Sequence, residues 1–397
     1  MTSIRTEDLD ALLGRWFDDG EPVAGMVDAV VRDGWSGREL VEAGLRRHRQ
    51  TWQSDSIVEA VRSELRAVDD SRMVMRWPDS VAHIWPGLPG AGVTPVLLGA
   101  VAGVDQRIRP PSGSGHLARW MVDTWAEEFG DSGPAFEIVE PGDDGWLDAE
   151  LVVASGSDET IDELIRRRLK RNSGRPRLIG YGHGVSLGVV PDLGAWSDSE
   201  RVELAYDIAA DVVLWHQQGC FSARGLLVGG ADDEVDAFAT EVGRAIARRE
   251  REWDAVPEDE GWVAQRAKQR GLADFQGTRR GDGFGWAHLE DDPFSGELVA
   301  PHVATIHRVD PQAEPVEVLQ TQVDVPAENL QGAALAARDV AEEDRWRQAL
   351  ARRGFTRICR PGDLQAPPAG WWHDGRPNIL DWLNVTRVDA GDPPDID

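Results

Sequence analysis

Lysine is nearly missing from this 397-residue chain, where it occurs only as Lys170 and Lys268, so arginine carries almost all of the positive charge. Cysteine is as scarce, with Cys220 and Cys359 alone. Two cysteines cannot build a disulfide framework, and no Cys/His group has the paired spacing of a structural zinc site, so no metal is expected. No run approaches the roughly 18 consecutive apolar residues of a membrane-spanning helix. The N-terminal stretch MTSIRTEDLDALLGRWFDD is acidic where a signal peptide has a basic start and an apolar block, so a cytoplasmic address is expected. A basic surface is lacking too: a formal net charge of −28 argues against binding nucleic acid or an anionic membrane. The sequence holds no GxxxxGK[ST], which excludes an ATP-hydrolysing P-loop, and no GxGxxG after a strand; GDGFG at 281–285 has neither the spacing nor the strand.

What is present is enough for a large core. At 41% hydrophobic residues the chain can fold as two domains, or as one with an appendage. The 17 tryptophans stand singly, which suits gap filling in a core better than a lined ligand site. Residues 1–70 read as helices: TEDLDALLGRWF and SDSIVEAVRSELRAV carry apolar residues at three- and four-residue spacing, with Ser54 or Asp55 as a candidate cap. Strand and helix then alternate through VTPVLLGAVAG (helix), QRIRPPSGSG (strand into loop), GHLARWMVDTWAEEFG (helix), AFEIVE and AELVVA (strands) and TIDELIRRRLKR (helix), the pattern of a parallel sheet covered on both faces. A second α/β unit follows, with a capping box at Ser197 and Glu200, a strand in RGLLVGG and a helix in EVDAFATEVGRAIARRERE. The Gly/Asp/Glu-rich stretch 254–300 reads as an irregular connection or lid, 361–378 as a Pro/Gly/Trp loop, and the acidic tail DAGDPPDID as a frayed end.

Several stretches carry chemistry. In VVASGSDETIDELIRRRLKR a strand meets a Ser-Gly-Ser turn that opens a helix, where free N–H groups can hold a phosphate. An ordinary βα turn reads the same way, and Asp158 and Glu159 in the first helical turn weaken the attraction for an anion. Arg109, at a strand end, either holds a phosphate or ribose or is simply solvated. LIGYGHGVSLGVV packs glycines around His183, a structural residue or a base near neutral pH. WHQQGCFS, 215–222, puts Cys220 on a helix-to-strand turn where its side chain can reach a cleft. A helix C-terminus before it disfavours thiolate, and a buried, inert thiol is the competing reading. Cys359, in FTRICRPG, lies between arginines that favour thiolate, on a short strand bounded by proline.

Read in order, IRPPSGSG, VVASGSDETI, GYGHGVSLGVV, WHQQGCFSARGLLV and RPGDLQAPPAGWWHDGRPNILDWL resemble the LuxC-type acyl-CoA (fatty acyl) reductases, a branch of the aldehyde dehydrogenase superfamily, over about 75–387. The resemblance implies an α/β, aldehyde-dehydrogenase-like fold, with a Rossmann-type parallel-sheet cofactor domain and a second α/β catalytic domain. The expected division is a helical region 1–70, an NAD(P)-binding domain 71–190, a catalytic domain 191–355, and a C-terminal loop and tail 356–397 that returns to the cofactor domain. By the same resemblance Cys220 is the nucleophile that takes the acyl group as a thioester, and His183 is its base. Gly156 and Ser157 then begin the helix that faces the cofactor phosphates, and Arg109 stands where a lysine commonly holds the adenosine ribose.

An oxidising aldehyde dehydrogenase keeps a glutamate that activates water against the acyl-enzyme. Here Gly180-Tyr181-Gly182 stands in that place, so the thioester is spared for hydride. The implied reaction is NADPH-dependent reduction of an acyl-CoA or carrier-bound acyl thioester to an aldehyde, by a homo-oligomer that works beside an acyl-transferring or acyl-activating protein. Two departures bear on this. Leu88 occupies the nearest match to the superfamily's oxyanion asparagine, a loss worth roughly two to three powers of ten in rate, and His216 replaces an expected acid. A cysteine acyltransferase and a decayed interaction protein are the other readings of the same scaffold.

Overall fold

The apolar runs between Ser80 and Tyr181 form a five-stranded parallel sheet of Ser80–Ile84, Asp105–Arg109, Phe136–Ile138, Leu151–Ser155 and Arg177–Tyr181. The structure is a computed structural model and describes residues 4–68, 72–140, 142–171, 177–255 and 259–388. Taken in chain order the five strands stand third, second, first, fourth, fifth across the sheet. The order in which strands are added therefore reverses between the first strand and the fourth, and the crevice at the carboxyl ends of strands beside such a switch is where open α/β sheets bind ligands. Helices Val93–Val101, His116–Phe129 and Asp158–Arg171 connect the strands. One face is filled by Ala82, Ile84, Trp146, Val152, Ala154, Ile161 and Leu164.

This sheet belongs to one of two compact units, made of 1–29, 49–182 and 368–397. The chain returns to it at the end. Strand Asn384–Arg387 pairs antiparallel with Met73–Arg76, and the buried Glu64 carboxylate accepts the N–H groups of Asn378 (2.9 Å), Ile379 (2.7 Å) and Leu380 (3.0 Å).

The second unit, 30–48 and 183–367, holds a seven-stranded sheet. Its spatial order is Arg279–Arg280, Trp286–Glu290, Val303–Val309, Ala223–Gly229, Val185–Val190, Leu330–Leu335 and Arg357–Cys359, parallel except for the first pair. All six residues of Val185–Val190 are buried, as a central strand covered on both faces requires. Helix Asp198–Val213 begins as its sequence predicts, with Glu200 Oε2 accepting from the Ser197 backbone N–H at 2.9 Å.

Two local expectations are corrected. The stretch 254–300 is not an irregular connection: it contains helix Glu260–Gln276 and strand Trp286–Glu290. The helix has no apolar stripe to mark it in the sequence; of its residues only Arg266 and Ala273 are buried, and Phe275 is 90% exposed. The cap of helix Ser54–Arg66 is Gln53, while Ser54 lies inside the helix and donates its hydroxyl to Asp10. The tail DAGDPPDID, 389–397, lies outside the described residues. Among the described residues no helix is long and apolar enough to cross a membrane.

The end of strand Ala223–Gly229 requires glycine. A Cβ on Gly229 would stand 1.8 Å from the carbonyl oxygen of Pro191, and backbone cannot move aside as a side chain can. Gly229→Ala is expected to destabilise the second unit by about 3 kcal/mol or more, the upper range of overpacking. A thermal melt overlaying that of the wild type would contradict this packing.

Candidate active site

The turn that carries Cys220 is built against the backbone's own preference. Helix Asp198–Val213 ends, and Trp215, His216 and Gln217 then adopt left-handed backbone, with φ of 53°, 53° and 60°. For non-glycine residues this conformation costs roughly 1–2 kcal/mol each, so the surroundings must hold it. Trp215 fits only because residue 44 is glycine, whose Cβ would meet the indole at 2.1 Å. The His216 ring lies parallel to Trp35 (6.0 Å, 6°) and to His302 (5.5 Å, 17°). Gln217, fully buried, donates to the carbonyls of Ala223 (2.8 Å) and Val303 (3.0 Å) and accepts from the Val303 N–H (3.1 Å).

These contacts join the turn to a buried polar group. His302, itself left-handed at φ 62°, has its Nδ1 2.6 Å from Glu250 Oε1. Glu250 also accepts from the Gly285 N–H at 2.8 Å and faces Arg266 at 3.3 Å. Burial lowers the pKa of His302 and takes that of His216 down to about 4, so both stacked rings are neutral near pH 7 and the stack carries no charge repulsion. On the far side of the turn, Gln365 donates to the carbonyls of Asp211 (3.2 Å) and Leu214 (3.1 Å) and to the Ser222 hydroxyl (3.1 Å). Asp211 accepts the N–H groups of Gly362 (2.7 Å) and Leu364 (3.1 Å), and burial raises its pKa to about 7.

Cys220 follows this turn. A Cβ on Gly184 would stand 3.1 Å from the Cys220 Cβ, so the glycine loop next to His183 closes directly on the thiol-bearing residue. The Ser186 hydroxyl donates to the Cys220 carbonyl at 2.8 Å and accepts from the Gly332 N–H at 3.0 Å. The two residues singled out in the sequence are thus brought to one place, and a third joins them. Arg224 Nη1 lies 3.1 Å from His183 Nε2 and donates to the Gly296 carbonyl at 2.7 Å. A guanidinium has only donors, so His183 Nε2 is the acceptor and the neutral ring carries its proton on Nδ1. Burial pushes the Arg224 pKa down while the Cys220 charge pushes it back up. Its Nε is buried with no hydrogen-bond partner. A cavity of about 400 Å³ opens on the same turn, lined by Trp35, Ser36, His216, Gln218 and Trp262.

Cys359 is different. Arg357 Nη1 lies 3.5 Å from its sulfur, yet burial wins and pushes the thiol up to about 12, so the flanking arginines do not make it a thiolate.

In the other unit Arg109 ends strand Asp105–Arg109, and Ser155 ends Leu151–Ser155, on either side of Ser80–Ile84. Both therefore border the switch-point crevice at the carboxyl end of the sheet. Ser157 caps helix Asp158–Arg171, its hydroxyl accepting from the Thr160 N–H at 3.3 Å, while the Gly156 N–H is held by the Tyr181 carbonyl at 3.1 Å. A Cβ on Gly156 would lie 3.3 Å from Thr160, so a side chain there crowds the first helical turn. Arg109 Nε is buried without a hydrogen-bond partner, a donor waiting at the crevice. Among these groups Arg109 Nε is the unused donor, while the Gly156 N–H and the Ser157 hydroxyl are engaged within the turn. From the C-terminal loop His373 stacks flat on Tyr181, ring centres 3.7 Å apart.

The pattern of a family described as acyl-CoA reductase (LuxC) matches residues 145–384 of the chain. Solved structures share the fold. Proline utilization A from Bradyrhizobium japonicum superposes with a TM-score of 0.66 at 16% identity, over 97% of this chain and 42% of that one. An NAD-dependent benzaldehyde dehydrogenase from Corynebacterium glutamicum gives 0.63 at 14%, over 97% and 83%. An NADP-dependent enzyme from E. coli gives 0.62 at 16%, over 96% and 85%. The chain thus spans less than half of the first of these proteins and most of the other two. No curated protein sequence matches it.

Gln217 is the residue on which the turn's geometry rests. Gln217→Ala strips partners from the buried Val303 N–H and from two carbonyls, and is expected to cost about 3 kcal/mol. Cys220 should also become uniformly more reactive toward small alkylating agents as the left-handed run relaxes. Unchanged stability and unchanged alkylation rate, measured together, would refute this assignment.

Proposed function

Because the chain belongs to the LuxC acyl-CoA reductase family, we propose that it is an NADPH-dependent acyl-thioester reductase in which Cys220 carries the acyl group. The observation that bears most weight is the strained turn that leads into Cys220, on which the Gly184 loop closes. Strain of this kind persists where a side chain must be aimed.

In this reading the Cys220 sulfur attacks the carbonyl of an acyl-CoA or carrier-bound thioester. A new C–S bond forms, the donor's C–S bond breaks, and the donor leaves as a thiolate. His183 serves as the base for a Cys220 that starts as thiol. The acyl chain lodges in the cavity beside Trp35 and Trp262. Reduced nicotinamide, when bound, supplies the hydride for the thioester carbon. Arg109, Gly156 and Ser157 hold the adenosine end of that cofactor, and Arg109, a guanidinium with an unused buried donor, suits the additional phosphate of NADPH. Hydrolysis is disfavoured because Gly180-Tyr181-Gly182 offers no carboxylate to activate water. Cys220 then departs from the hemithioacetal oxyanion, and the carbonyl re-forms as aldehyde. The enzyme acts as a homo-oligomer in the cytoplasm, supplied by an acyl-transferring or acyl-activating protein.

The test is steady-state oxidation of NADPH with a series of acyl-CoAs of increasing chain length, with aldehyde as product. Cys220→Ala should lower kcat by about 10⁴-fold or more, as loss of a covalent nucleophile does. Acyl-CoA consumed without NADPH oxidation would instead make the protein an acyltransferase, and a fully active Cys220→Ala would end the covalent mechanism.

A further inference from the structure

We propose that Arg224 is the charge partner that keeps Cys220 a thiolate throughout the cycle, and that His183, in accepting a hydrogen bond from Arg224, fixes the direction of that guanidinium. This rests on the reading of Cys220 as the acyl carrier, and it assigns to a strand arginine a role that the motifs give to a histidine.

The placement comes from four restraints. Arg224 stands four residues after Cys220, near the start of strand Ala223–Gly229, and the turn between them is closed by the Ser222 N–H donating to the Gly219 carbonyl at 2.9 Å. Gln217 holds the intervening Ala223 carbonyl at 2.8 Å. Consecutive residues of the glycine loop then meet the pair: Gly184 abuts Cys220, and His183 Nε2 lies 3.1 Å from Arg224 Nη1. The Gly296 carbonyl fixes the guanidinium from another side at 2.7 Å. The rest of strand Ala223–Gly229 is small or apolar, so one arginine in it stands out. A charge in such a place needs an anion.

The chemistry of the cycle asks for a fixed cation more than for a base. In acyl transfer the Cys220 sulfur gains a bond to carbon and the donor sulfur leaves with its electron pair. When the thioester carbonyl has received hydride from a reduced nicotinamide, the oxyanion collapses, the C–S bond to Cys220 breaks, and that electron pair returns to the Cys220 sulfur. The sulfur enters and leaves the cycle as thiolate, with no proton gained or lost between. A base has work to do once, whereas a positive charge beside sulfur is useful at every turnover. While its Nε2 lone pair is engaged by Arg224, His183 orients the guanidinium, and it serves as base only when that hydrogen bond opens.

The experiment is the pH dependence of Cys220 alkylation by iodoacetamide in the intact chain, followed on the Cys220 peptide by mass spectrometry so that Cys359 does not contribute. Arg224→Met should raise the midpoint by about one to three pH units, the range for losing an adjacent opposite charge. Arg224→Lys, which keeps the charge, should restore most of that shift, and His183→Gln should leave the midpoint near that of the wild type. If Arg224→Met does not fold, as judged by circular dichroism, Arg224→Gln removes the charge while keeping donors toward Gly296 and His183. A neutral Arg224 variant titrating like the wild type would overturn the proposal, as would a His183→Gln shift as large as that of Arg224→Met. The titration contains neither acyl thioester nor nicotinamide, so its outcome is independent of whether the protein proves to be a reductase.

Discussion

Trp215, His216 and Gln217 occupy left-handed backbone in succession, with no glycine among them, and the arrangement around Cys220 depends on their doing so. Left to itself such a run would relax by several kcal/mol. It is held because each side chain has a buried partner: a glycine-lined slot for Trp215, two parallel rings for His216, and three backbone hydrogen bonds for Gln217. Helix Asp198–Val213 therefore does not run on toward the cysteine. Its negative end, which would disfavour a thiolate, is separated from Cys220 by this turn, and a dipole effect fades within the last helical turn. The glycine loop that closes on Cys220 at Gly184 instead carries, through His183, a positive side chain, Arg224.

The same turn links surface chemistry to deep packing. Val303, which clamps Gln217, follows His302, and His302 is fixed by Glu250. Glu250 lies on helix Asp232–Glu252 and Val303 opens strand Val303–Val309, so the aim of the cysteine is set by two elements far apart in sequence. A buried polar group of this kind is high-stakes: fully satisfied it rigidifies, and half satisfied it would weaken the turn.

The fold was largely legible. Short apolar runs separated by Gly/Pro turns, with helices between, place a parallel sheet in each half of the chain, and strands such as LVVAS and VSLGVV are buried along nearly their whole length. Helix Glu260–Gln276 was not legible, because a helix that buries little has no periodic stripe to detect. Cys220 and His183 stood out through motif and glycine density. Arg224 did not, although a lone charge in the strand ARGLLVG was the signal that could have found it. Glu250 gave no local signal: in RRERE it reads as part of a solvated charged face, and only the tertiary fold shows that it is 2% exposed. Arg109 on its own read as a solvated strand end, and its orphaned Nε became visible only in three dimensions.

The central claim is that Cys220 carries the acyl group and gives it up to hydride. The most direct measurement is a single turnover followed by intact-protein mass. Acyl-CoA added alone should yield one acyl adduct on Cys220 that persists in water, and NADPH added next should return the protein to its native mass with one NADPH oxidised and one aldehyde formed per adduct. An adduct that decays to free acid before NADPH is added, or that survives NADPH unchanged, would contradict the account.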